Sequence, residues 1–98
     1  MEVAYLLHFK APLGSPPRGA AQHYIGRTRN LEQRMKQHAS GQGARLPAAF
    51  LRAGIPFQLV RVWRPVPGQR GFDLERSLKN RKKASTLCPV CRGEEVDV

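Results

Sequence analysis

Proline and glycine punctuate this chain, with nine glycines and eight prolines among 98 residues, and they set where its helices and strands can end. The densest stretch, Lys10-Ala11-Pro12-Leu13-Gly14-Ser15-Pro16-Pro17-Arg18-Gly19, excludes helix and central strand and is expected as a loop. It separates two short β-prone runs, Val3 to Phe9 and Gln22 to Gly26, that pair most simply as antiparallel strands. A connection longer than the usual hairpin loop of about 2–5 residues marks a candidate functional segment. Beyond Gly26, Thr28 or Asn30 can cap a helix to about Ser40, with Leu31, Arg34, Met35 and His38 at i, i+3, i+4, i+7 and Gly41 just past its end. A shorter helix starts around Pro47, runs through Ala48 to Ala53, and is closed by Gly54 and Pro56. Phe57 to Trp63 sets Phe57, Leu59, Arg61 and Trp63 against Gln58, Val60 and Val62, the period of a third strand, ended by Pro65, Pro67 and Gly68. From about Phe72 to Lys83, Leu74 and Leu78 lie one turn apart, with Glu75, Lys79 and Lys82 along a neighbouring polar line. The order is β-β-α-α-β-α, an α/β (α+β) chain of one domain over residues 1–92, with 93–98 expected as a disordered acidic tail.

Charge narrows the partners. Seventeen lysines and arginines stand against seven acids. Only Glu2, Glu32, Asp73 and Glu75 precede residue 93, so residues 1–92 carry 17 cations against 4 acids, or +13. No acidic side chain occurs from Gln33 to Phe72. A compact domain so imbalanced repels itself unless it meets a polyanion, which makes nucleic acid the leading partner. A membrane surface would want a long basic amphipathic helix with Trp or Phe on its apolar side, and the sequence has none. It also lacks the apolar run of a secretory signal and that of a membrane span, so a cytoplasmic protein with reduced cysteines is expected.

Several residues can carry chemistry, each beside a plainer reading. Tyr5 and Tyr24, in adjacent antiparallel strands, can converge on one sheet face, although strand tyrosines often only pack. Gly26 followed by Arg27-Thr28-Arg29-Asn30 marks a tight strand-to-helix passage whose free N–H groups suit a phosphate, or simply a capped turn. Arg34 leaves the helix at the edge of its apolar stripe, where guanidinium can neutralise a phosphoryl group or merely lie along apolar surface. His38 is a general base, a phosphate donor or a cation favoured at a helix C-terminus. Glu75 can hold a hard divalent ion with waters and phosphate completing the shell, or form an i,i+4 ion pair with Lys79. Cys88-Pro89-Val90-Cys91 has zinc-knuckle spacing but supplies half of a four-ligand site. His8, His23, His38 or a second chain would have to complete it, and an intact intrachain zinc site is not expected. No Walker loop, GxSxG or HExxH motif occurs.

Val3-Ala4-Tyr5, Tyr24-Ile25-Gly26, Arg34 within Leu31 to His38, and Glu75 within Leu74 to Lys79 together resemble the GIY-YIG nuclease superfamily, in order and over about residues 3 to 87. The resemblance is to its small stand-alone members and is most specific in the block from Tyr24 to Gly43. It implies a small central three-stranded antiparallel sheet flanked by helices, and a one-metal endonuclease that hydrolyses DNA phosphodiester bonds. Tyr5 and Tyr24 would correspond to the tyrosines of the two name motifs, one acting as or assisting the base that activates water. Arg34 would stabilise the phosphate and His38 would move a proton or hold a phosphate. Glu75 would ligate a single Mg²⁺ or Mn²⁺. The first motif keeps only its tyrosine, and a downstream asparagine has no counterpart beyond Asn80. Expected DNA contacts are Arg27, Arg29, Arg45, Lys79, Lys82 and Lys83, together with the basic stretch from Arg45 to Arg64 and the 10–20 loop. With no room for an attached DNA-binding domain, recognition is expected to follow DNA structure, such as branched or damaged forms, or to come from a protein partner or a dimer. No small-molecule cofactor is implied. The alternative is a nucleic-acid-binding module of the same fold without turnover.

Overall fold

A computed structural model describes residues 2–15, 18–79 and 87–96. Its elements run β1 (Val3–Ser15), β2 (Arg18–Thr28), α1 (Leu31–Ser40), α2 (Arg45–Arg52), β3 (Phe57–Trp63) and α3 (Gly71–Lys79). The three strands form one antiparallel sheet in the order β2-β1-β3. The α+β architecture and the element order are those expected from the sequence.

β1 takes the centre because its first residues are apolar on both sides. Val3 through Leu7 and Phe9 are all buried, an unbroken run that only a strand covered on both faces can satisfy. Alternation then sorts them. Tyr5, Leu7 and Phe9 pack with Phe50 of α2, against Leu31 and Met35 of α1 and Phe57, Leu59 and Val62 of β3. Ala4 and Leu6 pack on the other side with Ile25, Val60, Leu78 of α3, Leu87 and Cys88. The sheet is therefore a middle layer, with α1 and α2 on one face and α3 with residues 87–96 on the other.

Three expectations change in the folded chain. The Pro/Gly-rich stretch expected as a loop instead continues both strands, with Leu13 opposite Ala21 and Ser15 opposite Arg18. Pairing with β3 ends where Phe9 faces Phe57, and the β1–β2 register shifts between His8 and Leu13. Pro12 thus falls on an irregular, two-stranded part of the ribbon, where a missing N–H leaves no β3 carbonyl without its donor. Second, β3 does not alternate strictly. Leu7 faces Leu59 while Leu6 faces Arg61, so Val60 and Arg61 form a bulge opposite one step of β1. The bulge moves Arg61 and Trp63 away from the face of Phe57 and Leu59: Trp63 packs in the cluster of Val60, and Arg61 donates to Leu87 O at 3.3 Å. Third, of the stretch 93–98 expected as a disordered tail, Val96 packs against that same cluster and Glu94 N–H donates to Pro89 O at 2.8 Å.

The end of β2 and the start of α1 are fixed by local hydrogen bonds. Asn30 caps α1 by accepting from Gln33 N–H at 3.1 Å, and Thr28 Oγ1 braces the turn by accepting from Asn30 N–H at 3.1 Å. At the far end Gly41 adopts φ 80°, a left-handed closure that glycine takes without strain, and its N–H returns to Gln37 and His38 carbonyls. No helix among the described residues is long and apolar enough to cross a membrane.

Phe50 lies flat on Phe9, with ring centroids 3.6 Å apart and an interplanar angle of 7°, and is fully buried. Phe50→Ala is expected to destabilise the domain by about 3–5 kcal/mol, read as a lower denaturant midpoint in equilibrium unfolding.

Candidate active site

The face of the sheet covered by α1 gathers four of the five side chains assigned to catalysis. The register places Tyr5 opposite Gly26 and Leu7 opposite Tyr24, so both phenols leave the sheet on one side, with ring centroids 6.3 Å apart. Above them α1 contributes Arg34 and His38, one helical turn apart. Tyr5 Oη lies 2.6 Å from His38 Nε2, and Arg34 Nε donates to the same oxygen at 3.3 Å. Arg34 Nη1 also donates to Gln37 Oε1 at 3.3 Å, which fixes a second edge of the guanidinium. The His38 ring stands 5.7 Å from Tyr5 and 5.6 Å from Tyr24, between centroids.

Two glycines make this closeness possible. A Cβ at Gly26 would fall 2.5 Å from Tyr5 Oη and 2.9 Å from Tyr24 Cε2, so the residue after Tyr24-Ile25 must lack a side chain for the phenols to sit where they do. At Gly43 a Cβ would collide with His38 Nδ1, and the turn after α1 closes over the imidazole only because that position is bare.

Burial sets the protonation of the group. Tyr5 is fully buried, and loss of water pushes its hydroxyl up to about 12, against the opposing hydrogen bond from Arg34. Tyr24 is raised by burial as well, again opposed by the Arg34 charge. His38 is held down to about 4, first by burial and then by the neighbouring guanidinium. At neutral pH both partners are uncharged. Arg34 Nε–H occupies one lone pair of Tyr5 Oη, and the same hydroxyl shares the short hydrogen bond with His38 Nε2, whose direction follows the imidazole tautomer. His38 Nδ1 is buried and has no hydrogen-bond partner among the described residues.

Glu75 stands apart from this quartet on α3, with its side chain 17% exposed. Its Oε1 lies 3.7 Å from Arg27 Nε and 3.8 Å from Lys79 Nζ, so the i,i+4 ion pair weighed from the sequence is formed and a second cation joins it. Its charge still raises both tyrosines slightly, as the last of several causes. A single, largely sheltered carboxylate is a donor for a hard divalent ion that keeps most of its waters.

The expected DNA contacts are placed unevenly. Arg29 and Arg45 are exposed, and Lys79 reaches solvent while paired with Glu75. Arg27 is drawn inward: it pairs with Glu2 at 3.3 Å and with Glu75, and its guanidinium lies 5.2 Å above the Phe72 ring. Lys82, Lys83 and Asn80 lie outside the described residues. Glu2 and Gly43 escaped the sequence reading, because nothing in their local pattern tells of the residues they meet. The view that Cys88 and Cys91 make only half a site also changes: His8 and His23, register partners on β1 and β2, stand beside both sulfurs on the opposite face of the sheet.

A buried histidine held near 4 makes stability sensitive to acid. The unfolded chain takes up a proton near 6.5 while folded His38 resists until about 4, so the unfolded state binds more protons in that window and stability falls as pH drops through it. His38→Gln is expected to flatten the pH dependence of unfolding free energy between those two values.

Comparisons with known proteins give the family of the chain. The GIY-YIG catalytic domain matches residues 17–87, which include Tyr24, Gly26, Arg34, His38 and Glu75, while Tyr5 precedes the matched stretch. The UPF0213 protein BH0048 of Halalkalibacterium halodurans is 32% identical over 72 residues, covering 71% of this chain and 72% of that protein. No solved structure gives a significant match. With more than half of its length matched, the chain belongs to the GIY-YIG family, a family of nuclease type.

Proposed function

We propose that this protein is a divalent-metal-dependent endonuclease that hydrolyses DNA phosphodiester bonds at the Tyr5, Tyr24, Arg34 and His38 cluster, with Glu75 as its metal ligand. The observation that supports it best is the guanidinium of Arg34 held against a phenol that is in turn hydrogen-bonded to a buried neutral imidazole. A cation fixed before substrate arrives is suited to a phosphate on which charge accumulates, the largest lever such a site has. Tyr5 Oη and Gln37 Oε1 set the plane of Arg34, so little reorganisation is left for the moment of reaction.

The two phenols divide the work by exposure. Tyr5 is buried and committed to His38 and Arg34. Tyr24 is half-buried, lies against the same guanidinium, and is the phenol that surface water can reach. Tyr24, in its ionised form, therefore takes the proton of the attacking water, and Tyr5 with His38 holds Arg34 on the phosphate. Water oxygen bonds to phosphorus as the bond to the 3′ oxygen breaks, leaving a 5′ phosphate and a 3′ oxygen that takes a proton from solvent to become the 3′ hydroxyl. Glu75 would hold Mg²⁺ or Mn²⁺, which when bound supplies positive charge at the leaving oxygen. Arg29, Arg45 and Lys79 contribute phosphate contacts that fix the register of the duplex without reading its sequence.

A second reading, a DNA-binding module without turnover, is favoured by one observation: Glu75 already has two cationic partners within 4 Å. Supercoiled and branched DNA with Mg²⁺ or Mn²⁺ separates the two. The nuclease nicks in a metal-dependent way. Glu75→Gln abolishes nicking with DNA affinity equal or higher, because a negative charge is removed, and Tyr24→Phe slows it by about 10²–10⁴-fold. Nicking at the parent rate by Glu75→Gln would overturn the metal assignment. Salt-sensitive binding with every DNA form left intact would establish the binding module.

The pH profile reports which group is the base. Tyr24 is raised above its usual value of 10.0, so its ionised fraction climbs about tenfold per pH unit below that point. At constant metal saturation, nicking is expected to rise about tenfold per unit from about pH 7 to 9. A flat profile over that range would point to His38, already deprotonated there, as the base instead.

A further inference from the structure

Away from the candidate active site, β1, β2 and the C-terminal segment bring two histidines and two cysteines into one small volume. His8 and His23 are direct register partners, so both rings leave the sheet on the face opposite Tyr5 and Tyr24. Below them, residues 88–94 make a compact turn in which Arg92 N–H returns to Cys88 O at 3.2 Å and Gly93 N–H to Val90 O at 3.1 Å. This turn aims both sulfurs at the histidine pair. The four donor atoms lie within 4.8 Å of one another.

The individual distances carry the argument. His8 Nδ1 to His23 Nε2 is 3.2 Å, His8 Nδ1 to Cys88 Sγ 3.4 Å, His8 Nδ1 to Cys91 Sγ 3.7 Å, and His23 Nε2 to Cys91 Sγ 3.3 Å. A zinc ion with bonds of about 2.05 Å to nitrogen and about 2.3 Å to sulfur, at tetrahedral angles, requires edges of about 3.3 Å between nitrogens and about 3.6 Å between nitrogen and sulfur. The observed edges fall around those values. Four of the six edges are thus near those of a tetrahedral site, and the remaining two, His23 to Cys88 and Cys88 to Cys91, are within 4.8 Å.

We propose that His8, His23, Cys88 and Cys91 form an intrachain tetrahedral zinc site that fastens the C-terminal segment to the sheet. All four corners come from the protein, which makes the site structural, with no position open for substrate. It lies across the sheet from the phenols and is distinct from the oxygen donor Glu75. The family match supplies none of the cysteines: it ends at residue 87, and of the four ligands only His23 falls within it. Leu87 and Cys88 are buried against Ala4, Leu6, Ile25 and Val60, and a metal would hold them there in a domain whose small size leaves little stability to spare. Cys91 is exposed, so the ion has a way in.

The test is metal content on the whole chain, stripped with chelator under reducing conditions and returned to equimolar Zn²⁺. One zinc per chain is expected to survive gel filtration, the zinc form should melt at a higher temperature than the stripped form, and Co²⁺ in its place should give the visible absorption of a tetrahedral thiolate complex. Cys91→Ser changes an exposed ligand without disturbing the core, and it should lose both the bound metal and the difference in melting temperature. Four results would overturn the proposal: a folded parent with free thiols that retains no zinc, a Cys88–Cys91 disulfide that persists under reduction, undiminished zinc in Cys91→Ser, or half an equivalent of zinc on a dimer, which would make the site shared between chains.

Discussion

The central position of β1 is the constraint on which the other parts depend. A strand hydrogen-bonded along both edges and covered on both faces can present nothing but apolar groups or satisfied polar ones. Val3 through Leu7 meet that requirement, and Tyr5 meets it only because its hydroxyl is hydrogen-bonded to both Arg34 and His38. The helix α1 is therefore tied to the sheet by more than the packing of Leu31 and Met35. A fully buried phenol dictates where that helix must lie.

The same burial defines the chemistry available. Desolvation drives Tyr5 and His38 in opposite directions, toward the neutral form of each, and the guanidinium opposes it at the phenol while reinforcing it at the imidazole. Arg34 thus remains the only fixed charge within the quartet. On a face otherwise made of Leu7, Phe9, Phe50 and Phe57, a lone guanidinium hydrogen-bonded on two sides is a preorganised anion site. Glu75 adds the opposing charge from a different element, where Arg27 and Lys79 keep it balanced.

Much of this was legible in the sequence, and the rest depended on pairing. α1 could be read because its cap, its apolar spacing and its closing glycine are all local, and the observed bounds agree with them. The convergence of Tyr5 and Tyr24 followed from strand alternation, which needs no coordinates. The extension of β1 and β2 through the proline-rich stretch could not be read, since it turns on where β3 stops. The bulge at Val60 and Arg61 was hidden for a similar reason: it exists only relative to β1, and the residues themselves alternate acceptably. His8 and His23 could be named only as candidates beside His38, because their meeting depends on the β1–β2 register and on the return of a segment more than sixty residues away. The Cys-x-x-Cys pair was visible, but its two companions were written on other strands.

Because consecutive residues of β1 face opposite layers, its sequence is read in two interleaved frames, one serving the phenol and imidazole, the other serving the histidine and cysteine group. The two frames can drift independently by substitution, since a change at Leu6 is felt under α3 and a change at Leu7 under α2. They cannot drift by length. One residue gained or lost between Tyr5 and His8 would slide one group to the wrong side of the sheet for good, so this short strand must keep its residue count more strictly than it keeps its residues.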